Sequence, residues 1–250
     1  MKNLETKKFK KLGINFLFFI VFAAHMAISV GISFSKSSLK SDYFLYRVID
    51  TYIFISLLIN PIILSSLSKK TIEIEEKNNM WQLQISLGES VTQILLNKFK
   101  ILSTKLLVLQ IIEWSIMIAI STKLKLFIFN ADTLVRLGIL FLATLFTNLF
   151  LLALFMIIEM KAKKVYFTSF LSIIGALSGI ICMLTSETLS YINPFAWLSS
   201  LLNISYVKKG NELVQMLNPL QYYTLIISFV FLIFVIVYMK NMTKYHLEKE

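Results

Sequence analysis

The sequence predicts an all-α membrane protein with six transmembrane helices, and three observations carry that prediction. Mean hydropathy is +0.74, with 57% hydrophobic and only 16% charged residues, a balance outside that of soluble domains. The apolar residues gather into six runs of roughly 20, the length that crosses a hydrocarbon layer of about 30 Å at 1.5 Å per residue. The lysines sit at the ends of those runs, as the positive-inside bias requires.

The first run, residues 14–34, follows Lys2, Lys7, Lys8, Lys10 and Lys11. It is longer than the apolar core of a signal peptide and other spans follow it, so it reads as an uncleaved helix. The second, residues 48–68, contains Asn60-Pro61, which frees a backbone carbonyl and kinks a membrane helix where neighbours satisfy it. Spans at 101–121, 134–158, 166–185 and 220–239 complete one membrane domain over residues 1–250. With alternating helices, the side that holds both termini carries 16 lysines and the other side eight lysines and arginines. That excess places both termini in the cytoplasm of a bacterial cell membrane.

Two links are longer than turns. Residues 72–100 form the longest polar interruption, with Gly88 suited to end one helix in a left-handed conformation and Ser90 with Gln93 suited to start the next as a capping box. Between Glu75 and Leu87, the residues Met80, Leu83 and Leu87 recur at helical spacing with Trp81 beside them, which predicts a short helix with an apolar face outside the bilayer. On the opposite side, Asn193-Pro194 followed by Phe195, Leu198, Leu201 and Leu202 predicts short external helices over residues 193–217, with Tyr191 and Trp197 at headgroup depth.

Several function classes are excluded by what the chain lacks. No GxxxxGK[ST] loop, HExxH, GxSxG or Cys-His cluster is present, and the only histidines are His25 and His246. The chain therefore binds no ATP by a recognisable motif, holds no metal or other cofactor, and is not read as an enzyme. Glu75-Glu76 runs into Lys-Asn-Asn-Met, without the arginine that a Glu-Glu intramembrane protease places next. Net charge is +11, but an apolar chain offers no basic groove for phosphates, so nucleic acid is not an expected partner. The single cysteine, Cys182, permits no intramolecular disulfide.

Charges inside spans cost about 2.5 to 3.5 kcal/mol on insertion scales and so mark candidate sites. His25 and Glu113 lie at matching depth, roughly 17 Å from the cytoplasmic edge at 1.5 Å per residue. A contact between them would neutralise both; protonation of Glu113, or bonding to hydroxyls, is the other reading. Lys105 lies near enough to an edge to snorkel. Gly175 and Gly179 form GxxxG beside Ser172 and Ala176, a pattern for close helix packing or a dimer interface.

Glu73, Glu75 and Glu76, then a Trp-Gln-Leu helix, a sharp turn, a helix start and Lys98 entering a span together resemble the six-helix permeases of type-2 ABC transporters. Within them, the chain looks most like permeases that export, or give immunity to, lantibiotics and other membrane-active peptides. Many relatives have a proline where this chain reads Gly88-Glu89-Ser90. The resemblance implies that Glu75, Glu76, Met80, Trp81, Leu83 and Leu87 form a coupling helix docking on a separate ATPase subunit, which binds ATP and Mg. It further implies a second permease copy or sister permease, contact with membrane lipid, and an amphipathic peptide as substrate. A membrane-embedded binding subunit of a small-molecule, vitamin-type uptake transporter also has about six spans and is the alternative.

Overall fold

Six helices long and apolar enough to cross a membrane match the six predicted runs, so the chain is an all-α polytopic membrane protein. The computed structural model describes residues 13–33, 43–77, 80–124, 130–162, 166–209 and 212–242. The lysines before Gly13, with Lys36, Lys40, Lys125, Lys163, Lys164, Lys244, Lys249 and His246, lie outside the described residues. In chain order the helices are α1 (Ile14–Ser33), α2 (Phe44–Lys77), α3 (Met80–Ser86) and α4 (Val91–Lys123). They continue as α5 (Ala131–Lys161), α6 (Phe167–Thr185), α7 (Glu187–Ile192) and α8 (Tyr222–Asn241). Between α7 and α8 lie a 3-10 turn (Trp197–Leu201) and an antiparallel hairpin of β1 (Ile204–Lys209) and β2 (Glu212–Leu217).

The arrangement is inside-out relative to a soluble bundle. On α6, Ser172, Gly175, Ala176 and Gly179 are buried while Phe170, Ile173, Leu177 and Ile181 are exposed. Exposed rows of large apolar side chains also run along α1, α4 and α8. Lipid is as apolar as those side chains, so what holds helices together there is close packing and hydrogen bonding rather than the hydrophobic effect. Burial also ranks the helices. In α2 and α5, 61% and 67% of the apolar window is buried, against 28% in each of the other four, so these two form the centre.

Polar side chains join the helices around that centre. Asn60 donates to Asn148 Oδ1 at 3.0 Å between α2 and α5, beside Pro61, which α2 passes without a break. Ser65 donates to Ser172 at 2.9 Å between α2 and α6, and Gln110 donates to Thr144 at 2.7 Å between α4 and α5. Such bonds average about 0.6 kcal/mol each in membrane bundles, so their value is in fixing register.

Three of the long helices exceed the expected spans. At 1.5 Å per residue α2 is about 51 Å long, well beyond a layer of about 30 Å. Residues 72–77 therefore belong to α2 and residues 91–100 to α4, leaving only seven residues of the polar stretch as a separate helix. The reason is local: no Gly or Pro occurs between Pro61 and Asn78, so nothing ends the helix earlier.

The expected short helices over 193–217 hold for the 3-10 turn Trp197–Leu201 and are corrected beyond it. Residues 204–217 form the hairpin instead, with Ile204 paired to Leu217 and Val207 to Val214. The β-branched and aromatic residues of Ile204-Ser-Tyr-Val, followed by a Gly-Asn pair between Lys209 and Glu212, are strand and two-residue hairpin signals that outweigh the leucine spacing. Trp197 is also not at headgroup depth. It is buried, 5.0 Å from the Phe150 ring and 5.5 Å from that of Phe231, which lies nine residues, or roughly 14 Å, into α8. The segment from Asn193 to Leu201 thus enters the bundle and returns.

Candidate functional site

The polar stretch, built from its residues upward, is a rigid corner. Gly88 adopts φ +89° after α3, and its N–H bonds to Ile85 O at 2.9 Å while that of Glu89 bonds to Gln84 O at 3.1 Å. These are the two bonds of a Schellman motif, closed by a residue without a Cβ. Two residues on, Gln93 N donates to Ser90 Oγ at 3.2 Å and Ser90 N to Gln93 Oε1 at 3.1 Å, the reciprocal pair of a capping box.

The corner is fastened to the bundle by two groups. The Lys98 ammonium donates to Glu75 Oε1 at 2.8 Å, both side chains at most 2% exposed, which ties the end of α2 to the start of α4. Trp81, 5% exposed, joins the main apolar core with Leu67, Ile72 and Leu95. Glu75 is thus on α2, not on the coupling helix that the resemblance implied, and Trp81 points inward rather than lying on the exposed apolar face of α3. At 100° per residue Trp81, Gln84 and Ile85 share one side of α3, and Leu83 with Leu87 share the other. Leu83 and Leu87 are exposed, Met80 is half-buried and Glu76 is exposed. These four remain available at the surface.

In the bundle interior the structure brings His25 and Glu113 together. His25 Nδ1 lies 2.9 Å from Glu113 Oε1, and the Tyr52 hydroxyl donates to Glu113 Oε2 at 2.9 Å. Three helices, α1, α2 and α4, thereby meet at one carboxyl group. Tyr52 was not legible as a partner, since tyrosines are spread along the whole chain. Lys105 is half-buried and donates to Asn15, so it stands apart from this cluster.

Gly175 and Gly179 resolve into packing within the chain. A Cβ built on Gly175 would lie 2.5 Å from the Phe195 ring, and one on Gly179 2.7 Å from the Phe195 carbonyl oxygen. The GxxxG face of α6 is therefore filled by the segment that re-enters from α7. Asn193 holds that segment: its amide donates to Ser178 at 3.0 Å and contacts Cys182 Sγ at 3.4 Å, and its Oδ1 accepts from Phe195 N at 3.1 Å. The Tyr191 hydroxyl donates to Glu187 Oε1 at 2.8 Å with Gln221 Oε1 at 2.9 Å, and burial followed by the Glu187 carboxylate pushes it up to about 12.

A further acid anchors the hairpin. Asp50 of α2 accepts from Asn203 N at 2.8 Å, Asn203 Nδ2 at 2.7 Å and Ile204 N at 2.9 Å. Arg136 of α5 donates to Asn218 O at 2.9 Å and Asn203 Oδ1 at 3.3 Å, closing the root from the other side. An acid within an apolar run was the available signal. Asp50→Ala leaves two backbone N–H groups without their acceptor, at about 1–3 kcal/mol for each group kept from water. Hydrogen exchange of the Asn203 and Ile204 amides is expected to speed up by at least roughly tenfold, while exchange in the centre of α5 stays unchanged.

Among the described residues no group of three or more His, Cys, Asp or Glu is placed to hold a metal ion. The fold and these placements define a helical membrane protein with a rigid polar corner at one end, a hairpin at the other and a buried polar cluster between them. The chain matches no family model, no curated protein and no solved structure.

Proposed function

We propose that this chain is the membrane permease subunit of an ATP-driven exporter of amphipathic or antimicrobial peptides, acting in toxin export or self-immunity. The observation that carries the reading is α3: a two-turn helix with Leu83, and Leu87 just past its end, exposed, rigidly capped, anchored to the core by Trp81 and set where the Glu75–Lys98 pair ties two long helices together. An exposed apolar pair on a rigid mount calls for a partner surface, and a push on it would be delivered to α2 and α4 together. The exposed Glu76 disfavours an anionic inner leaflet as that surface and suits basic residues on a protein.

In this reading ATP and Mg are bound by a separate ATPase subunit, and a dimer of permeases, of this chain alone or with a sister, carries two of them. The lysine asymmetry sets both termini and α3 in the bacterial cytoplasm and the hairpin outside. Peptide substrate enters from the bilayer or cytoplasm when ATPase closure tilts α2 and α4.

Expressed from its own chromosomal locus and purified in mild detergent, the wild-type chain is expected to bring a Mg-dependent ATPase activity with it. A Leu83→Asp, Leu87→Asp double variant is expected to lose that activity by at least about tenfold, each being an apolar contact at an interface. Equal membrane yield of the two proteins would show that docking rather than folding is lost. The reading is overturned if wild type carries no such activity, or if the chain alone transports peptide in vesicles. Thermal stabilisation of the lone chain by a vitamin-sized molecule would instead support the small-molecule binding subunit.

A further inference from the structure

The polar cluster between α1, α2 and α4 has one atom too many. Glu113 accepts at both oxygens, from Tyr52 and from the His25 Nδ1 side, each at 2.9 Å, so its lone pairs are well used. His25 Nε2, on the far edge of the ring, is buried and has no hydrogen-bond partner. His25 is 2% exposed and Glu113 1%. The cluster is walled by rings: His25 and Tyr52 meet edge-on at 5.0 Å, and Tyr52 and Trp114 at 6.3 Å.

Counting protons over this geometry separates two states. With one proton on the imidazole, at Nδ1, and Glu113 ionised, both short contacts are made but a full negative charge is left in an apolar interior. That is the costliest state for a group kept from water. With one proton more the cluster is neutral, either as imidazolium and carboxylate or as imidazole accepting from the acid at Nδ1. A third neutral form, with Nδ1–H kept and the acid proton on Glu113 Oε2, would turn Tyr52 into the acceptor, whereas its hydroxyl donates there; the two forms that keep that donation keep the 2.9 Å contacts and place a proton on Nε2. Among the described residues, Tyr52 and Glu113 are the titratable groups that meet His25 from α2 and α4, and none on α1 does. Asp50, two residues from Tyr52, is engaged by Asn203 and Ile204 instead.

We infer that His25, Glu113 and Tyr52 form a proton-binding site inside the membrane bundle, whose bound proton rests on His25 Nε2. The site keeps its proton while α1 is packed against α2 and α4. Movement of α1 away from them opens Nε2 to water, an acceptor that the packed state lacks, and the proton can then leave. Proton occupancy and the position of α1 are therefore linked. This holds whatever the chain transports and whether or not α3 docks an ATPase.

The test is nitrogen-15 histidine solid-state NMR of the full chain in lipid bilayers, with His246→Gln leaving His25 as the one labelled residue. At pH 7.5 the Nε2 resonance is expected to show a directly bonded proton that exchanges slowly with deuterated water. Glu113→Gln removes the charge to be neutralised while its amide oxygen still accepts from Nδ1–H, so loss of the Nε2–H signal and a shift to the Nδ1–H form are expected. Tyr52→Phe removes only a donor to Glu113 and is expected to keep the Nε2–H. A wild-type His25 that is bare at Nε2 at pH 7.5 overturns the inference without any variant. So does an Nε2–H signal unchanged by Glu113→Gln.

Discussion

Replacing Glu75 by leucine alone is expected to lower the stability of the folded chain by about 3–5 kcal/mol, the cost of removing one partner of a buried ion pair. The Lys98 ammonium is 2% exposed and would lose the carboxylate 2.8 Å away. Changing both residues, as Glu75→Leu with Lys98→Met, removes the charges together. That double variant is expected to recover stability to within about 1 kcal/mol of wild type, or to exceed it, because well-packed apolar replacements often match a buried pair. Thermal unfolding of the three purified chains in one detergent reads the result. A Glu75→Leu chain as stable as wild type would show that the pair does not fasten α2 to α4. The comparison also bears on the proposed coupling. If α3 needs only a firm mount, the apolar double variant keeps ATPase association; if it needs the charges, association is lost although stability is kept.

The re-entrant segment gives the second large effect, and here the two glycines are expected to behave differently. Overpacking a well-filled contact costs about 1–3 kcal/mol. Gly175→Ala puts a methyl group 2.5 Å from the Phe195 ring, a side chain, whereas Gly179→Ala puts one 2.7 Å from the Phe195 carbonyl oxygen, which is backbone. Phe195→Ala removes the first obstacle and leaves the second. A double-mutant cycle should therefore show Gly175→Ala made less harmful by Phe195→Ala, while Gly179→Ala costs about the same in both backgrounds. Thermal unfolding supplies the four energies for each cycle. Equal rescue at both positions would mean that the segment does not enter as described, and unchanged stability in all variants would place the glycine face of α6 in open lipid.

What was legible in the sequence follows its short-range chemistry. The Schellman turn at Gly88 and the capping box of Ser90 and Gln93 depend on residues within five positions of one another, and both are present as the spacing indicated. The hairpin was legible too, in Gly-Asn between two β-rich segments, but leucines at near-helical spacing in the preceding residues drew the reading towards helices. Orientation of α3 was not legible. Met80, Leu83 and Leu87 do share a side, yet which side faces the core is decided by Trp81, whose ring is buried in the main apolar core in a way that no local pattern describes. His25 and Glu113 could be matched by depth alone, because rise per residue is fixed; Tyr52 could not, since nothing in its neighbours sets its direction.

By itself the sequence determined the number of membrane helices, their approximate limits and the capped corner, because hydrophobic run length, helical rise and capping act along the chain. Only the tertiary structure decided which of the polar and small residues meet. Glu75 found Lys98, Glu113 found His25 and Tyr52, and the glycines of α6 received Phe195. The physical reason is that in an apolar surrounding these groups gain from any partner that satisfies them, so the choice among partners is made by how the helices stack.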